Sequence, residues 1–135
     1  MAIDCRWRGT FTSVEANELH AAAFGTRVFT DEEWNWVAQT AEHSLGWVTA
    51  RDAETLVGFV NVVWDGSAHA WLQDVMVSPD IQRRGVGEQL VHHATLGARS
   101  AGCEWLHVDF DDHHSAFYID RCGFTRAAAG LLRLN

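Results

Sequence analysis

Lysine is absent from this chain of 135 residues: all ten basic side chains are arginine. That alone removes the nucleotide-binding P-loop, whose GxxxxGK[ST] pattern needs a lysine at the phosphates. Cysteine is scarce and odd in number, and Cys5, Cys103 and Cys122 show no CxxC spacing. They provide neither a disulfide framework nor a zinc ribbon, so a reducing cytoplasmic setting is expected. Proline occurs once, at Pro79, and tyrosine once, at Tyr118. No apolar run approaches the roughly 20 residues of a membrane span. The stretch Met1-Ala2-Ile3-Asp4-Cys5-Arg6 lacks the basic and apolar regions of a signal peptide. Positive charge is in deficit too, at a net −8. So acidic a surface repels nucleic acid and anionic membranes and favours a neutral or cationic partner.

What is present is a well-mixed apolar composition, 47% hydrophobic against 21% charged. Disorder and low complexity are excluded. The length is that of one domain, 1–135, able to bury roughly two-thirds of its unfolded surface without staples. Ile3 to Arg8 alternates and predicts a strand. Ser13 predicts the N-cap of a helix over Val14 to Phe24, stopped by Gly25. Thr30-Asp31-Glu32-Glu33 has the capping-box pattern and predicts a second helix whose body runs from Trp34 to about Glu42. Gly46 to Ala50 and Leu56 to Trp64 predict a hairpin, and Ala70 to Val77 a further strand. A helix is expected over Gly87 to Arg99, a strand over Glu104 to Phe110, a short helix over His114 to Arg121 and a last strand over Leu131 to Leu134. The order β-α-α-β-β-β-α-β-α-β specifies a mixed α/β fold, with no repeat and no linker.

The segment richest in chemistry is Asp74-Val75-Met76-Val77-Ser78-Pro79-Asp80-Ile81-Gln82-Arg83-Arg84-Gly85-Val86-Gly87-Glu88. It reads as strand, turn, basic glycine-rich loop and helix start. Gly85 and Gly87 admit an anion to the backbone, and the helix N-terminus adds about half a positive charge. Arg83 and Arg84 add local charge to an acidic protein. A Rossmann fingerprint needs a third Gly or Ala where Leu90 stands, so that alternative fails.

Gln82-Arg83-Arg84-Gly85-Val86-Gly87 resembles the acyl-CoA pyrophosphate motif, Q/R-x-x-G-x-G/A, of the GNAT N-acetyltransferase superfamily. Phe117-Tyr118 followed by Gly123-Phe124 resembles the late motif of the same family, and the two stand in the family's order. The likeness spans about Leu56 to Phe124. It implies a single α/β domain (an α+β mixed sheet) whose mostly antiparallel sheet contains a splayed parallel strand pair, with about four helices. Acetyl-CoA is the implied cosubstrate. Its pantetheine arm would pair with Val75 and Val77, and its pyrophosphate would meet the amides of Gln82, Arg83, Arg84, Gly85, Val86, Gly87 and Glu88, with Phe117 alongside. Tyr118 in the late motif would protonate the departing thiolate. A phenol suits that role because it is still protonated near neutral pH.

The acceptor would be a primary amine of a small molecule or peptide, attacking the thioester directly once deprotonated. The resemblance places His107 where some relatives carry a carboxylate base, and an imidazole of ordinary pKa near about 6.5 suits it. Asp74 is the second candidate. The region building the acceptor site would supply Phe24, Phe29, Glu33 and Trp34, aromatic and acidic groups suited to a cation. Where many relatives have Asn ahead of the late helix, this chain has Asp111-Asp112-His113-His114. Two other readings stay open. A non-catalytic acyl-CoA-binding module would share the loop. A metal-dependent hydrolase would use His107, Asp109, Asp111 and His113, although their spacing reproduces neither HExxH nor H-x-H-x-D-H. The expected state is a cytoplasmic monomer or homodimer.

Overall fold

The computed structural model describes residues 2–135. Five strands form one sheet in sequence order: β1 (Ile3–Trp7), β2 (Ser44–Asp52), β3 (Thr55–Trp64), β4 (His69–Val77) and β5 (Trp105–Val108). The first four are antiparallel neighbours, and β5 lies parallel to β4. A parallel pair needs a long crossover, here α3 (Val86–Ser100). α3 covers one face of the sheet through Val86, Leu90, Val91, Ala94 and Ala98, all buried. The other face is covered by α1 (Ser13–Phe24) and α2 (Trp36–His43), around Phe11, Leu19, Trp36, Phe59 and Met76. Both faces of β3 are therefore dry. That is why Leu56 to Val62 is buried at every position rather than at alternate ones.

Three boundaries differ from expectation. Thr12, not Ser13, caps α1, because Thr12 is the residue three before Glu15 and so completes a reciprocal box. The Ser13 hydroxyl instead accepts from the Val37 amide at the start of α2. Second, the Thr30–Glu33 box does form, yet it closes only one turn. Asn35 caps again, and α2 starts at Trp36. The reason is the stack of Trp34 on Trp36, 4.0 Å between centroids at 13°. Residues two apart on an α-helix point away from each other, so that stack requires a break at Asn35.

Third, Leu131–Leu134 forms no strand and is exposed, Leu134 at 92%. A short strand is stable only when paired, and this one meets no sheet edge. After β5, the chain makes a 3-10 turn (Asp112–His114) and a π-helical segment (Ala116–Arg121). No helix among the described residues is long and apolar enough to cross a membrane.

Trp7 anchors α3 to the sheet edge, and glycine makes the room. A Cβ at Gly97 would lie 2.6 Å from three atoms of the Trp7 ring, and one at Gly46 would lie 2.3 Å from it. Ala is favoured over Gly inside a helix by about 1 kcal/mol, but a rigid indole cannot yield. Overpacking of about 1–3 kcal/mol should win. Gly97→Ala is expected to lower the melting temperature by several degrees rather than raise it, as thermal denaturation would show.

Candidate active site

The sheet opens where β5 stops. Pairing of β4 with β5 runs from His69 opposite Trp105 to Leu72 opposite Val108, and β4 then continues to Val77 with β3 on one side and no strand on the other. In the same stretch the β3–β4 register slips by one between Phe59 and Asn61. The extra residue falls at Asp74, whose φ of +55° is left-handed. Asp accepts that conformation more readily than most residues, and the bulge bends β4 away from β5. A cleft of about 2110 Å³ results, reaching from Phe24 and Asp74 across the strand gap to the π-helical segment.

At the far end of β4, Pro79–Ile81 makes a 3-10 turn and the glycine-rich loop follows. Arg83 has φ +69° and Gly85 φ +79°, so two left-handed residues coil the loop. Gly85 caps α3 without a side-chain hydrogen bond. The first amides of a helix have no partner within it. Those of Val86, Gly87 and Glu88 are thus left for a ligand, at the positive end of the helix. Gly87 packs against Phe117, where a Cβ would stand 3.2 Å from the ring tip.

Tyr118 is buried beside this loop. Phe110 stacks on it at 5.0 Å, while Phe117 and Phe124 meet it edge-on. The π-helical turn, closed by the Cys122 amide on the Phe117 carbonyl, delivers both Phe117 and Tyr118 to the cleft wall. Burial, with a smaller push from Cys122, raises the phenol to about 12. Burial likewise raises the Cys122 thiol to about 11. At neutral pH both keep their protons.

Across the gap lie His107 and Asp74. His107 Nε2 is 2.7 Å from His69 Nδ1, and Trp71 stacks on the His107 ring at 4.8 Å and 19°. Burial raises the Asp74 carboxyl above its ordinary value, and His20 opposes the shift. His20 sits among Phe24, Trp34, Phe29 and Trp36, with ring centroids between 4.8 and 6.0 Å away. Its Nδ1 is buried without a partner.

Comparison with known proteins places this geometry. A family model described as "Acetyltransferase (GNAT) family" matches residues 12–124. The chain belongs to the GNAT acetyltransferase family. Among solved structures, it is similar to a GNAT-family acetyltransferase from Streptococcus pneumoniae TIGR4 at 23% identity, with 99% of this chain and 98% of that one covered and a TM-score of 0.78. A probable acetyltransferase from meticillin-resistant Staphylococcus aureus superposes at 0.80, with 18% identity and 99% of each chain covered. AAC(6')-Iy in complex with a bisubstrate analogue, CoA-S-monomethyl-acetylneamine, superposes at 0.76, with 15% identity and 100% and 99% covered. A search of curated proteins returned no match.

As a GNAT acetyltransferase, the protein uses acetyl-CoA as cosubstrate. The cleft wall includes Tyr118, His107 and Asp74, and it includes Val75, Val77, Gln82, Arg83, Gly85, Val86, Gly87, Glu88 and Phe117. Arg84 is exposed and lies outside that wall. Of the four acceptor candidates, only Phe24 reaches it. Glu33 is bound to Arg27 by two hydrogen bonds, 3.1 and 2.6 Å, which hold its carboxyl down at about 2. Arg27 also lies over Phe29 at 4.2 Å. Trp34 is occupied by Trp36 and by a hydrogen bond to Gln39.

The four residues of the metal reading do not gather at one point. Asp111, His113 and His114 come together in an exposed loop, whereas His107 turns to His69. Sequence reasoning missed His20, His69 and Trp71. His69 and Trp71 share the alternation of β4, but only the β4–β5 register shows that this face meets His107.

Proposed function

We propose that the protein is an N-acetyltransferase that moves the acetyl group of acetyl-CoA onto a primary amine by direct attack. The observation behind this reading is the bulged end of β4, released from β5 and lying between a helix N-terminus without a side-chain cap and a buried tyrosine. Acetyl-CoA supplies the activated acyl group as a thioester. The amides of Val86, Gly87 and Glu88 and the Arg83 side chain hold its phosphates, and the backbone of Val75 and Val77 pairs with its arm. An ammonium entering beside Asp74 meets a half-buried carboxyl, and its positive charge opposes the effect of burial there. His107 then takes the ammonium proton, leaving the nitrogen lone pair free to attack. Tyr118 donates a proton to the sulfur as the C–S bond breaks, and the nitrogen, acidic once bonded to the carbonyl carbon, gives up its second proton to the phenolate, so that only the proton on His107 is released. The burial that raises the phenol raises a thiolate in the same apolar place, so donor and acceptor stay matched.

The acceptor is a cationic amine presented on an aromatic surface, Phe24 and Trp71, and the aminoglycoside analogue seen on AAC(6')-Iy belongs to that class. The test is a thermal shift with acetyl-CoA, with NAD, ATP and zinc as controls, followed by turnover assays. Acetyl-CoA at about 100 times its dissociation constant should stabilise by about 2.7 kcal/mol, raising the melting temperature by roughly 5–10 °C. Release of free thiol is then assayed with spermidine, kanamycin, phenethylamine and an alanyl peptide. Binding with no turnover on any amine tried would favour the acyl-CoA-binding module. A shift with zinc alone would return the metal reading.

A further inference from the structure

Acetylating an ammonium releases one net proton, and in a cleft closed by cosubstrate and amine that proton needs a path out. One exists behind His107. His69 and His107 sit on adjacent parallel strands, offset so that His107 faces Trp71 and His69 faces Trp105. Their rings meet nitrogen to nitrogen, Nδ1 of His69 to Nε2 of His107, at 2.7 Å. Trp71 lies against both imidazoles, at 6.1 Å and 28° from His69 and at 4.8 Å and 19° from His107, and holds the pair in place. Only one proton fits between two nitrogens at that distance. Nδ1 is the His107 nitrogen left for the cleft.

We propose that His69 is the proton outlet of the acetyltransferase, forming a two-imidazole relay with His107 from the amine to solvent. This rests on the reading of His107 as base. In the starting tautomer His107 Nε2–H donates to His69 Nδ1, and His69 carries its own proton on Nε2. When the ammonium N–H bond breaks, its proton bonds to His107 Nδ1. The Nε2 proton crosses to His69 Nδ1, and the His69 Nε2 proton leaves to water. Neither imidazole has to hold a lasting positive charge within the cleft. After product departs, the open cleft lets both tautomers re-equilibrate.

The surroundings fit. Asp65, just ahead of β4, accepts from the backbone amides of His69 and Ser67 at 3.2 and 2.8 Å. Those bonds, together with attraction from His69, hold its carboxyl below its ordinary value. An ionised carboxylate therefore stands at the exit and favours a proton passing through His69. Cys103, near Asp65, has its thiol pushed up by burial and by that carboxylate, so it stays neutral. Asp109, exposed, follows His107 two residues on along the same strand direction.

The test compares His69→Phe, His69→Asn and His107→Phe. Imidazole nitrogen shifts in ¹⁵N-labelled protein are followed between about pH 5 and 9, and kcat and KM are measured across the same range. The assay uses acetyl-CoA with whichever of the four amines above turns over fastest. A relay gives coupled titration of the two rings in the parent. It gives a loss of about 10-fold in kcat for His69→Phe at unchanged KM, less than the roughly 10²–10⁴-fold of losing the base in His107→Phe. His69→Asn preserves a hydrogen-bonding group near Nδ1 but cannot pass a proton on, so it should hold the His107 tautomer and still be slow. Full rate in His69→Asn would reduce His69 to a positioning residue and overturn the relay. Uncoupled titrations, or a His69→Phe enzyme as fast as the parent while His107→Phe is slow, would also overturn it and leave the base standing. Parent rates in both Phe variants would remove the base as well.

Discussion

Tyr118→Phe is expected to lower kcat by about 10²–10⁴-fold, the range for loss of a positioned general acid. The affinity for acetyl-CoA and the melting temperature should change little. The ring contributes its packing through Phe110, Phe117 and Phe124, and phenylalanine preserves all three contacts. Only the hydroxyl is lost, along with the proton that burial keeps on it up to about 12. Without that proton the thiolate must leave as an anion into an apolar wall. Steady-state kinetics with a thermal-shift measurement of acetyl-CoA binding separate the outcomes. An unchanged kcat would transfer the acid's role to water. A large fall in affinity would make the phenol a binding group instead.

Gly87→Val should act on cosubstrate binding and on stability together. The Cβ alone would stand 3.2 and 3.3 Å from two atoms of the Phe117 ring and 3.8 Å from Val77. Two further methyl groups on it must push the start of α3 away from the π-helical segment. Overpacking of this kind costs about 1–3 kcal/mol, a fall of several degrees in melting temperature for a domain of this size. The uncapped amides move with the helix, so acetyl-CoA should bind at least 10-fold more weakly, a difference of about 1.4 kcal/mol. Gly85→Ala is the informative companion. No atom crowds a Cβ there, and the cost is the φ of +79°; its effect isolates backbone conformation from crowding. A Gly87→Val protein that bound acetyl-CoA like the parent would dissociate the loop from the phosphates.

The elements of this fold were legible because their signals are local. Alternation marked β1, unbroken β-type residues marked β3, and the capping pattern at Thr30 announced a helix that in fact begins only after a second cap at Asn35. What misled was local as well. Thr12-Ser13-Val14-Glu15 contains two hydroxyls able to cap, and only the reciprocal bond to Glu15 decides between them. Leu131–Leu134 has a strand's composition, but composition cannot say whether a partner edge is in reach.

By itself the sequence determined the family and located the loop proposed to hold the cofactor. A loop that offers consecutive backbone amides to an anion needs only neighbouring residues and glycine conformations, so the proposed cradle lies within Gln82–Glu88 and is written contiguously. The late Phe117-Tyr118 pair added the proposed acid further along the chain. Only the tertiary structure brought together the groups proposed to face the acceptor. Asp74 points into a cleft because a one-residue slip against β3 falls there, and a slip shows only when two strands are paired. Glu33 and Trp34, which suit a cation by type, are already bound to Arg27 and Trp36, while His69, unremarkable in the sequence, meets His107, and His20 lies close enough to act on the Asp74 charge. Groups brought together from distant strands and helices have no spacing to read, because the packing of the sheet against α1 and α2 creates the spacing.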